Sequence, residues 1–185
     1  FSEGLAWVSI GSKYGFIDKE GKYVINAQFD SAGSFNDGLA LVKLGDRFGY
    51  IDVNGKYVIN PQFEFASDFK EGMAAVGSGD RYGYIDKSGK FVINPQFNYA
   101  DSFSEGFAAV RVGSGETTKV GFVDKAGKYV INPQFDASGR FSEGLAWVSV
   151  GGRVGYIDTS GKYVVNPQFQ CDVAQDFVDK FYSKD

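Results

Sequence analysis

The sequence contains no histidine and only one cysteine among its 185 residues. Without histidine there is no imidazole base, no Ser-His or Cys-His pair and no His-ligated metal. A single cysteine, Cys171, cannot form an intramolecular disulfide or a multi-cysteine zinc or iron–sulfur site. These absences exclude most classes of enzyme, and we expect neither a catalytic residue nor a cofactor.

Long apolar runs and an excess of basic charge are also missing. No stretch approaches 18 consecutive apolar residues, so we expect no membrane insertion. The net charge is −4 and the two signs are interleaved along the chain, so a nucleic-acid partner is not expected. The sequence opens inside a repeat at Phe1, without a charged leader, and we interpret it as a trimmed or processed fragment that lacks upstream domains.

Aromatic residues and glycine are abundant, at 17% of the chain and 25 residues respectively. Glycines that separate aromatic and β-branched runs are typical of short strands joined by tight turns. One unit recurs five times, with its first phenylalanine spaced by 34, 34, 34 and 38 residues. Self-similarity at a fixed period predicts a repeat protein. The predicted copies are residues 1–34, 35–68, 69–102, 103–140 and 141–169.

Each copy predicts three short antiparallel strands, which in the first copy are residues 5–10, 14–18 and 22–25. Between the second and third strands lies an Asp-x-x-Gly turn, in which the carboxylate can accept backbone N–H bonds and glycine supplies a positive φ. This aspartate recurs as Asp18, Asp52, Asp86, Asp124 and Asp158. Asn-Pro-Gln-Phe follows the third strand in four copies, and we expect it to leave the sheet because proline cannot donate to a ladder.

The predicted fold is all-β, with five three-stranded antiparallel units in an elongated superhelical repeat array. Tyr23, Val24 and Ile25 are apolar on both faces of the third strand, which predicts that neighbouring copies cover both faces and share a core. A closed five-unit, propeller-like ring is the alternative, although 34 residues are few for a four-stranded blade.

The C-terminal segment, residues 170–185, departs from the repeat. Val173, Phe177 and Phe181 recur at i, i+4 and i+8, which predicts a short amphipathic helix. We expect this helix to cap the last copy, as terminal units of repeat arrays usually require. A docking helix for a partner is the alternative.

Three recurring tracts resemble the bacterial WG-repeat family over residues 1–169: Gly-Leu-Ala-x-Val, Gly-Tyr-Ile-Asp-x-x-Gly-Lys and Val-Ile-Asn-Pro-Gln-Phe. The Trp-Gly pair that names the family is altered here, because Tyr14, Phe48, Tyr82, Val120 and Val154 precede the glycine. The resemblance implies a β-rich bacterial repeat scaffold that binds rather than catalyses. We expect an envelope or secreted location rather than a cytoplasmic one.

Candidate binding residues lie where the copies differ. Repeat arrays choose partners through variation at equivalent exposed positions, which here are positions 7 and 9 of each copy and the insertion at 113–119 in the fourth copy. The candidates are Trp7, Leu41, Lys43, Arg111, Glu116 and Trp147. We expect a protein partner. The alternative is a glycan stacked on exposed Trp7 and Trp147.

An acidic residue precedes glycine before the first strand of every copy. These residues are Glu3, Asp37, Glu71, Glu105 and Glu143. They could line a groove for a cation or metal, but we expect them to stabilise the turn and we expect no metal site. A carboxylate-pair hydrolase would need one unique acidic pair, whereas these acids recur fivefold.

Overall fold

The computed structural model describes residues 1–170, which form nineteen short β-strands and one 3-10 turn at Gly115–Thr117. The predicted all-β repeat fold is confirmed. The predicted capping helix lies outside the described residues, apart from Gln170, which ends the last strand.

The chain divides into two compact units, residues 1–103 and 104–185. The strands of the first unit are β1 (Ala6–Ile10), β2 (Lys13–Ile17), β3 (Tyr23–Phe29), β4 (Ser31–Asn36), β5 (Leu39–Leu44), β6 (Arg47–Ile51), β7 (Tyr57–Phe63), β8 (Phe65–Ala66), β9 (Met73–Ser78), β10 (Arg81–Asp86), β11 (Phe91–Phe97) and β12 (Tyr99–Ala100). Those of the second are β13 (Phe107–Val112), β14 (Lys119–Asp124), β15 (Tyr129–Phe135), β16 (Ala137–Ser138), β17 (Leu145–Val150), β18 (Arg153–Asp158) and β19 (Tyr163–Gln170).

Each copy folds into an antiparallel sheet built on the three predicted strands. In the first unit the strand orders are β1-β2-β3, β4-β5-β6-β7 and β8-β9-β10-β11, and in the second unit β16-β17-β18-β19 is a further four-stranded sheet. The fourth strand comes from the end of the preceding copy, just after Asn-Pro-Gln-Phe. Four strands therefore fit a 34-residue period because the added strand is as short as two residues, as in β8.

The prediction that Asn-Pro-Gln-Phe leaves the sheet is wrong, because these residues form the end of the third strand. In β7, Ile59 pairs with Tyr50 and Phe63 pairs with Phe48, and the register shifts between these two pairs. The residues inside this irregularity include Pro61, whose missing N–H is therefore not needed by the ladder.

A glycine in the second strand makes this irregularity possible. A β-carbon at Gly49 would lie 2.6 Å from the Ile59 carbonyl oxygen and 2.6 Å from the Pro61 nitrogen. Both are backbone atoms, so the third strand can cross this closely only over a residue without a side chain. The same geometry recurs at Gly15, Gly83, Gly121 and Gly155.

The core lies between successive sheets within each unit. In the first unit the Tyr50 ring packs against Phe69 of the following copy with centroids 4.7 Å apart. Phe122 and Phe141 make the equivalent pair in the second unit at 4.9 Å. Because each aromatic pair joins two copies, a single copy cannot complete its own core.

The third strand is covered on one face only, so the prediction that both faces are covered is wrong. Ile59 is buried, whereas the neighbouring Val58 is 44% exposed. This strand is the last in the sheet order β4-β5-β6-β7, and alternation turns every second side chain away from the core. Val24, Val92, Val130 and Val164 are exposed in the same way.

Candidate functional site

A groove of about 320 Å³ lies in the first unit between the second sheet (β4 to β7) and the third (β8 to β11). Leu41, Lys43 and Phe48 line it from the second sheet, while Ser67 and Asp68 line it from the third. Its volume falls at the lower end of the range of small-ligand and peptide side-chain pockets. We refer to this site as the groove.

Two of the predicted binding residues, Leu41 and Lys43, meet in the groove. They are two residues apart on β5, so strand alternation places both side chains on one face. Lys43 pairs with Phe48 across the sheet, and its Nζ lies 5.4 Å from the centre of the Phe48 ring. This cation–π contact holds the ammonium against one wall of the groove.

Asp68 is a groove residue that the sequence interpretation missed. No hydrogen-bond donor within residues 1–170 reaches its carboxylate. Burial raises the pKa of the Asp68 carboxyl, and the charge of nearby Lys70 opposes that rise only in part. A partly buried carboxylate without a donor is a group that a ligand can satisfy.

The signal that could have identified Asp68 is its column in the repeat. The residue before the first phenylalanine of copies two to five is Ser34, Asp68, Ser102 and Arg140, so its charge changes among these copies. Variation of this kind at one repeat position is typical of a binding surface. Recognising that Asp68 lies in the groove still requires the geometry of the two sheets.

Gly33 provides the space that the Asp68 carboxylate occupies. A β-carbon at Gly33 would lie 3.0 Å from Asp68 Oδ1 and 3.6 Å from Leu41 Cβ. Gly33 does not have a positive φ, and the equivalent residue of the next copy is Ser67. The backbone therefore accepts a side chain there, and the glycine serves to keep this part of the groove open.

The other four predicted residues lie on other sheets or in the inserted loop. Trp7 is 48% exposed on the first sheet, with its ring centroid 5.7 Å from that of Tyr14. Arg111 and Trp147 are half-buried on strands β13 and β17 of the second unit. The backbone of Glu116 lies in the 3-10 turn Gly115–Thr117 of the inserted loop.

Of the recurring acidic residues before the first strand, Glu3, Asp37 and Glu105 connect copies. The carboxylate of Glu3 accepts a hydrogen bond from the Gly38 N–H at 3.0 Å, and Asp37 accepts one from Gly72 at 2.8 Å. Each acid therefore stabilises a turn, as expected, but the turn belongs to the following copy. Within residues 1–170 no group of three or more acidic or cysteine side chains could hold a metal ion.

A second acidic column, not recognised from the sequence, also connects copies. Asp30 accepts a hydrogen bond from Lys13 Nζ at 2.6 Å and another from the Gly45 N–H at 2.7 Å. The hydrogen bond from Lys13 lowers the pKa of Asp30. Asp136 makes the same pair of contacts, with Lys119 and Gly151. The recurrence of an acid directly after Gln-Phe was the available signal.

The Asp-x-x-Gly turns have the predicted structure. The Asp18 carboxylate accepts backbone N–H bonds from Glu20 and Lys22, at 3.1 and 2.8 Å. Gly21 has a φ of 80°. These acids are therefore occupied by their own turns.

In the described part of the chain, no helix has the length and apolarity needed to cross a membrane.

Comparisons with known proteins agree with this repeat architecture. The family model described as "WG containing repeat" matches six segments: 1–14, 14–47, 48–81, 82–114, 121–153 and 155–182. No curated protein matches the chain in sequence.

One solved structure shows similarity at the level of the fold, and a second aligns with a lower score. The structure of Kluyveromyces lactis Hsv2p aligns with a TM-score of 0.55 and 13% identity, over 88% of this chain and 60% of that one. The extracellular domain of the putative hybrid two component system BT3049 from B. thetaiotaomicron aligns with a TM-score of 0.49 and 15% identity, over 88% and 27%. This chain thus spans less than two thirds of either protein.

Proposed function

The chain belongs to the family of WG containing repeats, and we propose that it is a non-catalytic scaffold that binds a protein partner through the groove. The observation that carries this proposal is that the shared and the variable positions of the repeat have different structural roles. Residues shared by all copies form the core, the bulges and the inter-copy contacts. The groove is lined by Leu41, Lys43 and Asp68, whose equivalents differ from copy to copy.

The recurring carboxylates support a binding function over a catalytic one. Glu3 and Asp37 bond backbone N–H groups of the following copy, and Asp18 bonds its own turn. Acids held in this way stabilise the scaffold and are not positioned as a general acid or base. We therefore propose that the groove residues, and not the recurring acids, recognise the partner.

The test begins with the selection of peptides from a random displayed library on the immobilised full chain. The affinity of the selected peptides for the wild-type chain is then compared with their affinity for the variant Leu41→Trp. Tryptophan already occupies the equivalent position at Trp147, directly over Gly139, and Gly33 lies in the same place below Leu41. The variant should therefore fold and fill the groove with an indole. We expect selected peptides to bind the wild-type chain and to lose at least ten-fold in affinity for Leu41→Trp.

Val58→Trp is the matched control, because it adds the same ring to an exposed position on the edge strand of the same sheet. Peptides should bind this variant as they bind the wild type. Equal loss in both variants, or full binding to Leu41→Trp, would contradict the groove as the binding site.

A glycan is the second candidate ligand, and the exposure of Trp7 favours it. Trp7 is 48% exposed beside Tyr14, and an exposed indole offers a ring face on which a sugar can stack. A glycan array probed with the full chain and with Trp7→Ala tests this function. Binding that Trp7→Ala abolishes and Leu41→Trp leaves intact would assign a sugar site on the first sheet.

A further inference from the structure

We propose that the groove receives a basic side chain, arginine or lysine, of the protein partner, with the cationic end on Asp68 and the aliphatic stem against Leu41 and Ala66. This inference rests on the proposed protein-binding function and specifies the chemistry of the partner.

The charge argument begins at Asp68. Its carboxylate is half-buried, and no side chain or backbone N–H of the described chain donates to it. Lys70 follows two residues later and is exposed, and Lys43 is held over the Phe48 ring. Neither lysine forms an ion pair with Asp68 within the described residues. An external guanidinium or ammonium can therefore supply the missing donors.

The walls of the groove match the rest of a long basic side chain. Leu41 and Ala66 provide apolar surface between the two sheets. Arginine and lysine bury their methylene stems along such surface while the charged end reaches a polar partner. Acidic side chains would meet the Asp68 carboxylate as a like charge, and a purely apolar chain would leave that carboxylate unsatisfied.

The overall charge of the chain favours the same class of partner. The formal net charge is −4, so a basic segment is attracted at long range and an acidic one is repelled. Lys43 carries the opposite sign at the groove wall. We expect it to favour an acidic or neutral neighbour next to the inserted basic residue and to set the orientation of the segment.

The experiment uses the ¹⁵N-labelled full chain and three capped tripeptides that differ only in the central residue: arginine, citrulline and leucine. Citrulline has the shape of arginine without its charge. We expect the arginine peptide to shift the backbone amides of Gly33, Ser67 and Asp68 in a saturable way. The citrulline and leucine peptides should bind at least ten-fold more weakly, the scale of a charge-assisted contact.

Asp68→Asn is the decisive variant, and Asp80→Asn is its control. Asp80 lies in the turn between β9 and β10 of the third sheet with its side chain 89% exposed, so the control removes the same charge outside the groove. Asp68→Asn should remove the preference for arginine over citrulline, whereas Asp80→Asn should retain it. Gly33→Ser narrows the space beside Asp68 and should weaken binding of the arginine peptide. The amide spectrum of this variant should remain that of a folded protein.

Outcomes separate this inference from the proposed function. Groove-binding peptides selected from the library without any basic residue would overturn the basic-side-chain assignment and leave the protein-binding function standing. Equal binding of arginine and citrulline, or an unchanged preference in Asp68→Asn, would overturn it as well. If no library peptide binds at the groove, the proposed protein-binding function itself is contradicted.

Discussion

The indole of Trp147 occupies the space above Gly139 in which a β-carbon would lie. A β-carbon built on Gly139 falls 2.9 Å from Cε2 of the ring and closer still to the pyrrole edge. The Gly139 N–H also donates to the Trp147 carbonyl at 3.0 Å, which fixes the two strands relative to each other. Gly139, directly after β16, and Trp147 on β17 therefore form a complementary pair.

The same pairing rule holds elsewhere at this repeat position. Leu41 lies over Gly33, with Cβ 3.6 Å from a built β-carbon, whereas Ala75 lies beside Ser67. The Ser67 hydroxyl accepts a hydrogen bond from the Ala75 N–H at 3.0 Å. A large residue on the first strand is thus matched by glycine on the outer strand, and a small one by a residue with a side chain.

Gly139→Ser should destabilise the second unit because the hydroxymethyl group collides with the indole. We expect a loss of about 1 to 3 kcal/mol in the free energy of unfolding, the usual cost of overpacking. The measurement is urea unfolding followed by tryptophan fluorescence in a Trp7→Phe background. Combining Gly139→Ser with Trp147→Ala should recover most of the loss, when followed by circular dichroism. Additive effects of the two substitutions would refute the pairing.

The repeat unit and its three strands could be predicted because glycine turns and apolar alternation recur in every copy. The outer strand could not, because Phe65–Ala66 is two residues long and has no periodicity to recognise. Asn-Pro-Gln-Phe was misjudged because proline is excluded only where the ladder needs its N–H. Gly49 and Pro61 together create an irregularity that removes this need.

The candidate site was predictable in part. Leu41 and Lys43 followed from variation at equivalent positions on one strand face. Asp68 did not, because it reaches the groove from the next sheet, and the contact depends on inter-sheet geometry and on the missing side chain of Gly33. Exposure of Val58 and its equivalents was missed because an apolar residue on an edge strand need not be covered.

Gly83→Ala should be among the most destabilising single substitutions in the first unit. Its β-carbon would meet backbone atoms of β11, including the Asn94 carbonyl carbon at 2.8 Å, and backbone cannot rotate away. We expect a loss on the order of 3 kcal/mol or more. Gly77→Ala in the same sheet is the comparison, since its β-carbon meets Phe65 Cβ at 3.1 Å. Equal midpoints of chemical unfolding for these two variants would contradict the backbone-clash explanation.

Asp37→Ala should cost more stability than Asp37→Gly. Asp37 has a φ of 55°, a left-handed conformation that glycine adopts without strain and alanine does not. Both variants lose the hydrogen bond to the Gly72 N–H, so only backbone strain separates them. We expect the alanine variant to unfold about 1 kcal/mol more easily than the glycine variant. Thermal unfolding of both measures the difference, and a less stable glycine variant would disprove the strain argument.

Asp68→Asn should stabilise the protein at neutral pH. Burial raises the pKa of Asp68 in the folded state, so its contribution to stability is full below the unfolded value of 3.8 and is lost as the pH rises through the folded pKa. The stabilisation by asparagine should therefore be largest near pH 7 and vanish below about pH 3.8.

Asp30→Asn should behave in the opposite way, because Lys13 and the Gly45 N–H lower the pKa of Asp30. Its loss of stability should be present at neutral pH and disappear as the pH falls below the folded pKa. Unfolding midpoints of the three proteins across pH 3 to 8 test both signs. A destabilising Asp68→Asn at pH 7 would mean that the scaffold itself uses this carboxylate, leaving none for a partner's cation.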